Sequence, residues 1–338
     1  MSKGVTYSNL IREKKYLSQD EAYAMQKGIL VGDINAQGLL DVFSALDGRH
    51  LSVEEMNGIN AATRESMLPV PIKTDALDIV GTGGDGMRTF NISTVASIVC
   101  AACDVPVVKH GSRSASSRCG SADVLEALGV NIMLDPVQAV NCFEEIGMVF
   151  LFAQKFHPAL KNAAEARKQY GKRTYFNILG PLVNPAQVSH QTLGVFDEGI
   201  KKLMGEASVN AGIKRLWAVR SNDGMDEISL FSAPSVTEFS IQFPRGNNVG
   251  ISFPLYKTGI EEIQINEVDE SARIILDIVN DRATEVQKQT VAVNAAVGLM
   301  TYGVTNDLDK ARSMAIEAIE SGKVLKKLNQ LIQVSNHV

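Results

Sequence analysis

From Asp75 onward the chain repeats one texture: a short run of β-formers, a loop, then a helical stretch. "ALDIV" is followed by "TVASIVCAAC", and "VPVVKHG" by "SADVLEALG", with "NIML" as a further β-run. Strands alternating with helices need right-handed crossovers, so a largely parallel sheet covered on both faces is expected. "AAEARKQYG" reads as a helix and "TYFNILGPLVNPA" as a Pro/Gly-rich crossing segment that interrupts the alternation. "TLGVF", "RLWAV" and "EFSIQ" resume the short β-runs, and residues 272–338 read as mostly amphipathic helix.

The first seventy residues follow a different rule. Ser18 with Glu21, and Ser52 with Glu55, have the spacing of capping boxes, and each opens a segment with apolar residues at helical intervals, such as Leu39, Val42, Phe43 and Leu46. Leu51 stands where a hydrophobic staple would lie. Pro69 and Pro71 disfavour helix at the residues before them, which puts a boundary in "LPVPI". The expected fold is therefore α/β, with a small all-helical domain over residues 1–71 and a large α/β domain with a central, mostly parallel sheet over residues 72–338.

Composition narrows the function. Hydrophobic residues at 45% and charged residues at 21% describe a packed globular chain. A net charge of −5 offers no general attraction for nucleic acid or anionic lipid, so neither is expected as a partner. "MSKGVTYSNLIREKKYL" lacks the apolar core of a secretory signal, and no stretch reaches the ~18 apolar residues of a membrane span, so a cytoplasmic location is expected. Cys100 and Cys103 form C-x-x-C late in an apolar helical run, away from the helix N-terminus that would favour a thiolate. With no second Cys/His pair at zinc spacing, they read as small buried apolar residues.

The stretch "DIVGTGGDGMRTFNIST", Asp78 to Thr94, carries the first candidate site. Gly81, Gly83 and Gly86 satisfy the dinucleotide-binding spacing after a strand, but the next strand ends "KHG", with no acidic residue to hold a ribose. The P-loop spacing also fails, because Met87 and Arg88 follow Gly86 in place of Lys and Ser/Thr. A different cradle fits: glycines allow successive N–H groups to converge on an anion, and a helix starting at Ser93, capped by Ser93 or Thr94, would face it. Asn91, Ser93 and Thr94 would each add a side-chain donor. Taken alone, the stretch fits a tight turn as well as an anion site.

A second stretch, "VVKHGSRSASSRCGSADVLEALG", places Lys109, His110, Arg113, Arg118 and several serines, Ser114, Ser116, Ser117 and Ser121 among them, after the neighbouring strand. Two such junctions at the carboxyl ends of adjacent parallel strands line one crevice, and this excess of cations and hydroxyls suits an oligophosphate. In "SNDGMDEISLF", Asp223, Asp226 and Glu227 are hard oxygen ligands suited to Mg²⁺ shared with substrate phosphates, or else a surface acidic turn.

Together "GTGGDG…FNIST", "KHG" with "GSADVLEALG", "FHPAL", "RTYFNILGPLVNPA" and "DGMDEIS" resemble the anthranilate phosphoribosyltransferase family, in its order and spacing and over nearly the whole chain. The resemblance implies Mg²⁺-dependent transfer of 5-phosphoribosyl from phosphoribosyl pyrophosphate (PRPP) to the amine of anthranilate, in tryptophan biosynthesis. It also implies a homodimer contact in the helical domain, with a contribution to that domain from about 167–190. By motif position, Gly81, Gly83, Gly84, Asp85, Thr89, Asn91, Ser93, Thr94, Lys109 and Ser121 are similar to the PRPP contacts. Gly81, His110, Ser112, His157 and Arg167 are similar to the anthranilate contacts, and Ser93, Asp226 and Glu227 to the metal site. No residue is implied as a covalent nucleophile. Ser112 replaces the usual asparagine of "KHGNR", and Arg220 and Ser221 replace a usual His-Gly, which bears on substrate detail more than on reaction type. The competing classes are a pyrimidine nucleoside phosphorylase-like enzyme and a non-catalytic nucleic-acid-binding relative of the fold.

Overall fold

The computed structural model describes residues 3–113 and 119–338. The N-terminal domain is helical: α1 (Lys3–Lys14), α2 (Gln19–Leu30), α3 (Ala36–Leu46) and α4 (Val53–Glu65). Both capping boxes form, with Ser18 and Ser52 accepting from the N–H groups of Glu21 and Glu55, whose carboxylates accept from the serine N–H groups in return. Each cap is worth about 1 kcal/mol. Glu55 also accepts from the Leu17 N–H and pairs with Arg49 through both guanidinium nitrogens, so the start of α4 is bolted to the α1–α2 turn. On α3, Leu39, Val42 and Phe43 are buried as the helical stripe requires.

The chain then runs β1 (Leu77–Gly81), α5 (Ile92–Ala102), β2 (Val107–Gly111), α6 (Ser121–Ala127), α7 (Pro136–Ile146) and β3 (Met148–Phe152). The crossing region holds the short α8 (Ala153–Phe156), α9 (Ala164–Tyr170) and α10 (Phe176–Leu179). After it come β4 (His190–Gly194), α11 (Glu198–Asn210), β5 (Arg215–Ser221), β6 (Pro234–Ser240) and β7 (Asn247–Val249). The tail is α12 (Val268–Val279), α13 (Glu285–Tyr302), α14 (Leu308–Glu320) and α15 (Lys323–Ser335). Among the described residues these strands form one sheet in the order β3-β2-β1-β4-β5-β6-β7. The pairs from β3 to β5 are parallel, and β6 and β7 continue antiparallel.

Two expectations need correction. "NIML" is not a strand: the Asn131 backbone is taken by Ser335 of α15, and Asp135 caps α7 directly afterwards, leaving no edge for pairing. The third strand is instead "MVFLF", buried along its whole length. In the tail, α13 is not amphipathic but buried on nearly every side, because it packs against β4 and β5 with α5 and α14 beside it.

The strand order locates the crevice. From β1 the chain moves outward through β2 and β3, then returns to add β4 on the opposite side of β1, so β1 and β4 flank the switch point where open α/β sheets bind ligands. Gly81 and Gly194, the last residues of those strands, are register partners there.

Candidate active site

The glycine loop leaves β1 at the switch point, and its closest neighbour is the acidic turn after β5. A Cβ on Gly81 would lie 2.5 Å from Asp226 Oδ2, and one on Gly194 would lie 1.7 Å from the Asp226 carbonyl oxygen. These two glycines are required by the close approach of Asp226, not by backbone conformation. Gly83, Gly84 and Gly86, by contrast, all have positive φ, the conformation that turns successive N–H groups inward. The Gly83 N–H donates to Asp226 Oδ2 at 2.7 Å. Asp85 accepts from the Met87 N–H at 3.0 Å and, more weakly, from the Asp226 N–H at 3.4 Å, closing the loop over the turn.

Helix α5 points its N-terminus into the same space but starts one residue earlier than expected. Asn91, not Ser93 or Thr94, is the N-cap residue, and it makes no side-chain cap. Its amide instead donates to the Cys119 carbonyl at 3.2 Å and accepts from Ser271 at 2.7 Å, tying both loops to α12. Of the three donors expected here, Asn91 is thus occupied in holding loops together. Ser93 donates its N–H to Glu227 Oε1 at 3.2 Å, and the buried Thr94 hydroxyl has no partner among the described residues. Thr89 lies further out, in an isolated bridge to Gln264.

Lys109 enters from β2. Its ammonium, 2% exposed, donates to the Ile79 carbonyl at 2.6 Å and to Ser93 Oγ at 3.4 Å. Burial pushes its pKa down to about 8, against the opposing pull of Asp78 and Glu227. Asp226 and Glu227 are both held above the ordinary carboxylate range, first by burial, and then by the charge of Asp85 on Asp226 and the charges of Asp226 and Asp85 on Glu227. Asp223, grouped with them in the sequence reading, is exposed and accepts from the Met225 N–H within its own turn. Among the described residues no three His, Cys, Asp or Glu side chains converge closely enough to bind a metal by themselves. The hard oxygens of Asp226, Glu227 and Ser93 fit Mg²⁺ that completes its coordination on a ligand's phosphates, and a cation would relieve the repulsion that raises both acids.

The second loop is only partly as expected. Ser121 is the first residue of α6, with its hydroxyl 3.5 Å from the Ser112 carbonyl, and a Cβ on Gly111 would collide with it at 2.1 Å. Ser112 is exposed. Arg113 turns away from the crevice into salt bridges with Asp123 and Glu126, both at 2.8 Å, so it is not a free phosphate ligand. Ser114, Ser116, Ser117 and Arg118 lie outside the described residues.

The far side of the crevice is of another character. His110 and His157 are buried with ring centroids 5.1 Å apart. Neither ring nitrogen of His157, nor Nε2 of His110, has a hydrogen-bond partner among the described residues. Burial pushes His157 down to about 4 and His110 well below the usual imidazole range, so both are neutral near pH 7. Arg167 on α9 lays its guanidinium over the Phe176 ring, 5.3 Å from the centroid, and makes no salt bridge among the described residues. Its burial without a counter-ion lowers its pKa.

Three further residues escaped the sequence reading. Arg173 donates to the Gly84 carbonyl and stacks 4.2 Å from the Phe196 ring centroid, bridging the crossing segment to the glycine loop. Asp78 of β1 accepts from the Asn184 side chain, which also donates to the Val108 carbonyl of β2. A carboxylate inside the apolar run "ALDIV" is itself a signal, since an acid seldom sits on a buried strand without a partner.

A parallel sheet with a glycine cradle, an inward lysine and paired acids at its switch point defines a glycosyl-transfer enzyme of the α/β kind, and the family described as "Glycosyl transferase family, a/b domain" matches residues 73–325. The chain is 40% identical over 330 residues to the anthranilate phosphoribosyltransferase of Alkaliphilus metalliredigens, covering 95% of each, and 38% identical to that of Endomicrobium trichonymphae, covering 97% of this chain and 99% of the relative. The crystal structure of anthranilate phosphoribosyltransferase from Thermus thermophilus superposes with a TM-score of 0.88 at 32% identity, covering 99% of this chain and 100% of that one. The Saccharomyces cerevisiae enzyme, in complex with PRPP and Mg, shares the fold at 23% identity with a TM-score of 0.88 over 99% and 98% of the chains. The chain belongs to the anthranilate phosphoribosyltransferase family, whose members are pentosyltransferases.

Proposed function

We propose that this chain transfers the 5-phosphoribosyl group of PRPP to the amine of anthranilate, releasing pyrophosphate, with the diphosphate on the glycine-loop side of the crevice and the aryl acid on the histidine side. The observation that carries this division is the convergence of donors on anionic oxygen: the Gly83 and Ser93 N–H groups already serve the carboxylates of Asp226 and Glu227, with Lys109 beside them.

On the donor side, Gly81, Gly83, Gly84, Asp85, Thr89 and Asn91 form and brace the cradle, while Ser93, Thr94, Lys109 and Ser121 supply polar groups to the phosphates. Asp226 and Glu227, with Ser93, hold Mg²⁺, which when bound supplies positive charge to the departing diphosphate. The protein's own contribution is preorganised: N–H groups, an ammonium and a helix N-terminus fixed before the C1–O bond breaks. No covalent nucleophile is needed, because a neutral arylamine attacks C1 directly.

On the acceptor side, Arg167 pairs with the anthranilate carboxylate, a role supported by its lack of a protein counter-ion among the described residues. His110, His157 and Ser112, with Gly81, line the aryl position. Neutral imidazoles leave the carboxylate to Arg167 and place no positive charge against the amine. Holding the two substrates face to face supplies rate through orientation.

The helical domain extends to residue 71 with a contribution from about 167–190, a division supported by Tyr170 donating to the Phe43 carbonyl and Tyr175 donating to Gln26. The helical domain carries exposed Tyr16 and Val31, and we propose that it forms a homodimer contact, as the family resemblance implies. We place the enzyme in the cytoplasm, a reading compatible with the lack, among the described residues, of a helix long and apolar enough to cross a membrane. Phosphorolysis of nucleosides and nucleic-acid binding are not favoured, since relatives over nearly the full chain carry the transferase name. The direct test follows anthranilate fluorescence. Consumption only when PRPP and Mg²⁺ are both present is expected; no consumption, or consumption without PRPP, would reject the reading.

A further inference from the structure

We propose that Asp78 and Asn184 are a pair of positioning residues that fix the aryl-acid side of the crevice to the sheet. Asp78 lies on β1 with no solvent exposure, in a run otherwise apolar. One carboxylate oxygen accepts from the His110 N–H at 3.3 Å and the other from the Asn184 side-chain amide at 2.9 Å. Asn184 Nδ2 also donates to the Val108 carbonyl at 3.0 Å, and its Oδ1 accepts from the Ala186 N–H at 2.9 Å. The amide is therefore fully used, and every partner lies on β1, β2 or the crossing segment.

The link matters because of what hangs from each end. Val108 and His110 are two residues apart on β2, so their side chains share one face, while Lys109 projects to the other face toward α5. On the His110 face lies the crossing segment. Gln191, the register partner of Asp78 on β4, donates to the Pro181 carbonyl at 2.8 Å, and Arg64 of α4 grips the Leu182 carbonyl at 2.9 Å. Asn184 thus anchors to the sheet, next to His110 on β2, a segment that the helical domain also holds. An acid buried to this degree costs several kcal/mol unless its charge and geometry are used, and an apolar residue would serve a merely structural strand better. Burial pushes Asp78 up to about 6, with the Lys109 ammonium opposing.

The inference rests on the placement of anthranilate beside His110 and His157. It is tested with Asp78→Asn and Asn184→Asp, measuring KM for each substrate, kcat and Tm. Asn184→Asp is expected to raise the anthranilate KM about 10-fold with PRPP KM changed less than about twofold, as misplacement confined to one side requires, whereas Asp78→Asn, which also removes a charge opposing the burial of Lys109, is expected to raise both, the anthranilate KM the more. Equal shifts in both KM values for Asn184→Asp, or a lowered Tm with unchanged kinetics, would each overturn the pair. If the charge-altering variants fail to fold, Asn184→Ser, which removes reach without moving a charge, must show the same one-sided shift. Wild-type enzyme that does not bind anthranilate in a fluorescence titration would instead sink the functional reading, which separates the two failures.

Discussion

The two sides of the crevice solve opposite problems with the same sheet. On the glycine-loop side, acids are crowded together and main-chain donors and Lys109 are turned inward, so charge is concentrated where an anion and a cation can complete it. Away from that loop, the two buried imidazoles of His110 and His157 are held neutral, and Arg167 stacks its guanidinium on the Phe176 ring with no carboxylate partner among the described residues. In the proposed function the first side stabilises charge that moves, and the second holds a flat acid without adding charge to it. What divides them is β2, whose alternating pleat sends Lys109 one way and His110 the other.

Removing the acids is expected to have the largest effect on the difference between the two sides. Replacing Asp226 with Asn and Glu227 with Gln is expected to lower kcat/KM about 10³-fold and to abolish the Mg²⁺ dependence of what remains. Unchanged Mg²⁺ titration curves would remove both residues from the site. Next in size is Gly81→Ala, whose Cβ would press on the Asp226 carboxylate at 2.5 Å. A displacement of that order is expected to cost about 10²-fold in kcat with little loss of Tm, and a fully active variant would show that the Asp226 approach is not needed.

A smaller and one-sided effect is expected for Arg167→Ala. Loss of a charge-assisted pair should raise the anthranilate KM roughly 10- to 100-fold while the PRPP KM holds. An effect confined to PRPP would place Arg167 on the wrong side. The smallest effect sharpens the claim that the histidine side is neutral. A histidine whose folded-state pKa lies below its unfolded value takes up its proton mainly on unfolding, so its contribution is fully present above pH 6.5 and is lost as pH falls toward 4. Between pH 7.5 and pH 5, wild type should therefore lose about 2 kcal/mol of unfolding free energy relative to His157→Leu in urea titrations. A pH-independent difference would mean that His157 is not buried in its neutral form.

Local rules carry much of this into the sequence. Capping boxes at Ser18 and Ser52 form because their partners lie three residues away, and the βα alternation predicts the parallel part of the sheet. The glycine loop is visible as a loop, but the reasons for its glycines divide: Gly83, Gly84 and Gly86 answer to backbone conformation, whereas Gly81 and Gly194 answer to Asp226, which is distant in sequence from both. That second reason is tertiary and leaves no local pattern. The same applies to Arg113, which has the composition of a phosphate ligand but is claimed by Asp123 and Glu126 of α6. "NIML" has strand-like composition, yet α15 takes its backbone, a competition invisible from either segment alone.

The proposed chemistry requires the diphosphate to lie against the loop that leaves β1. A crystal structure of the protein with PRPP and Mg²⁺ tests this most directly. The diphosphate is expected within hydrogen-bond distance of the Gly83 and Ser93 N–H groups and Lys109, with the metal between it and Asp226 and Glu227. Diphosphate bound on the His110 and His157 side, or metal bound away from both acids, would contradict it.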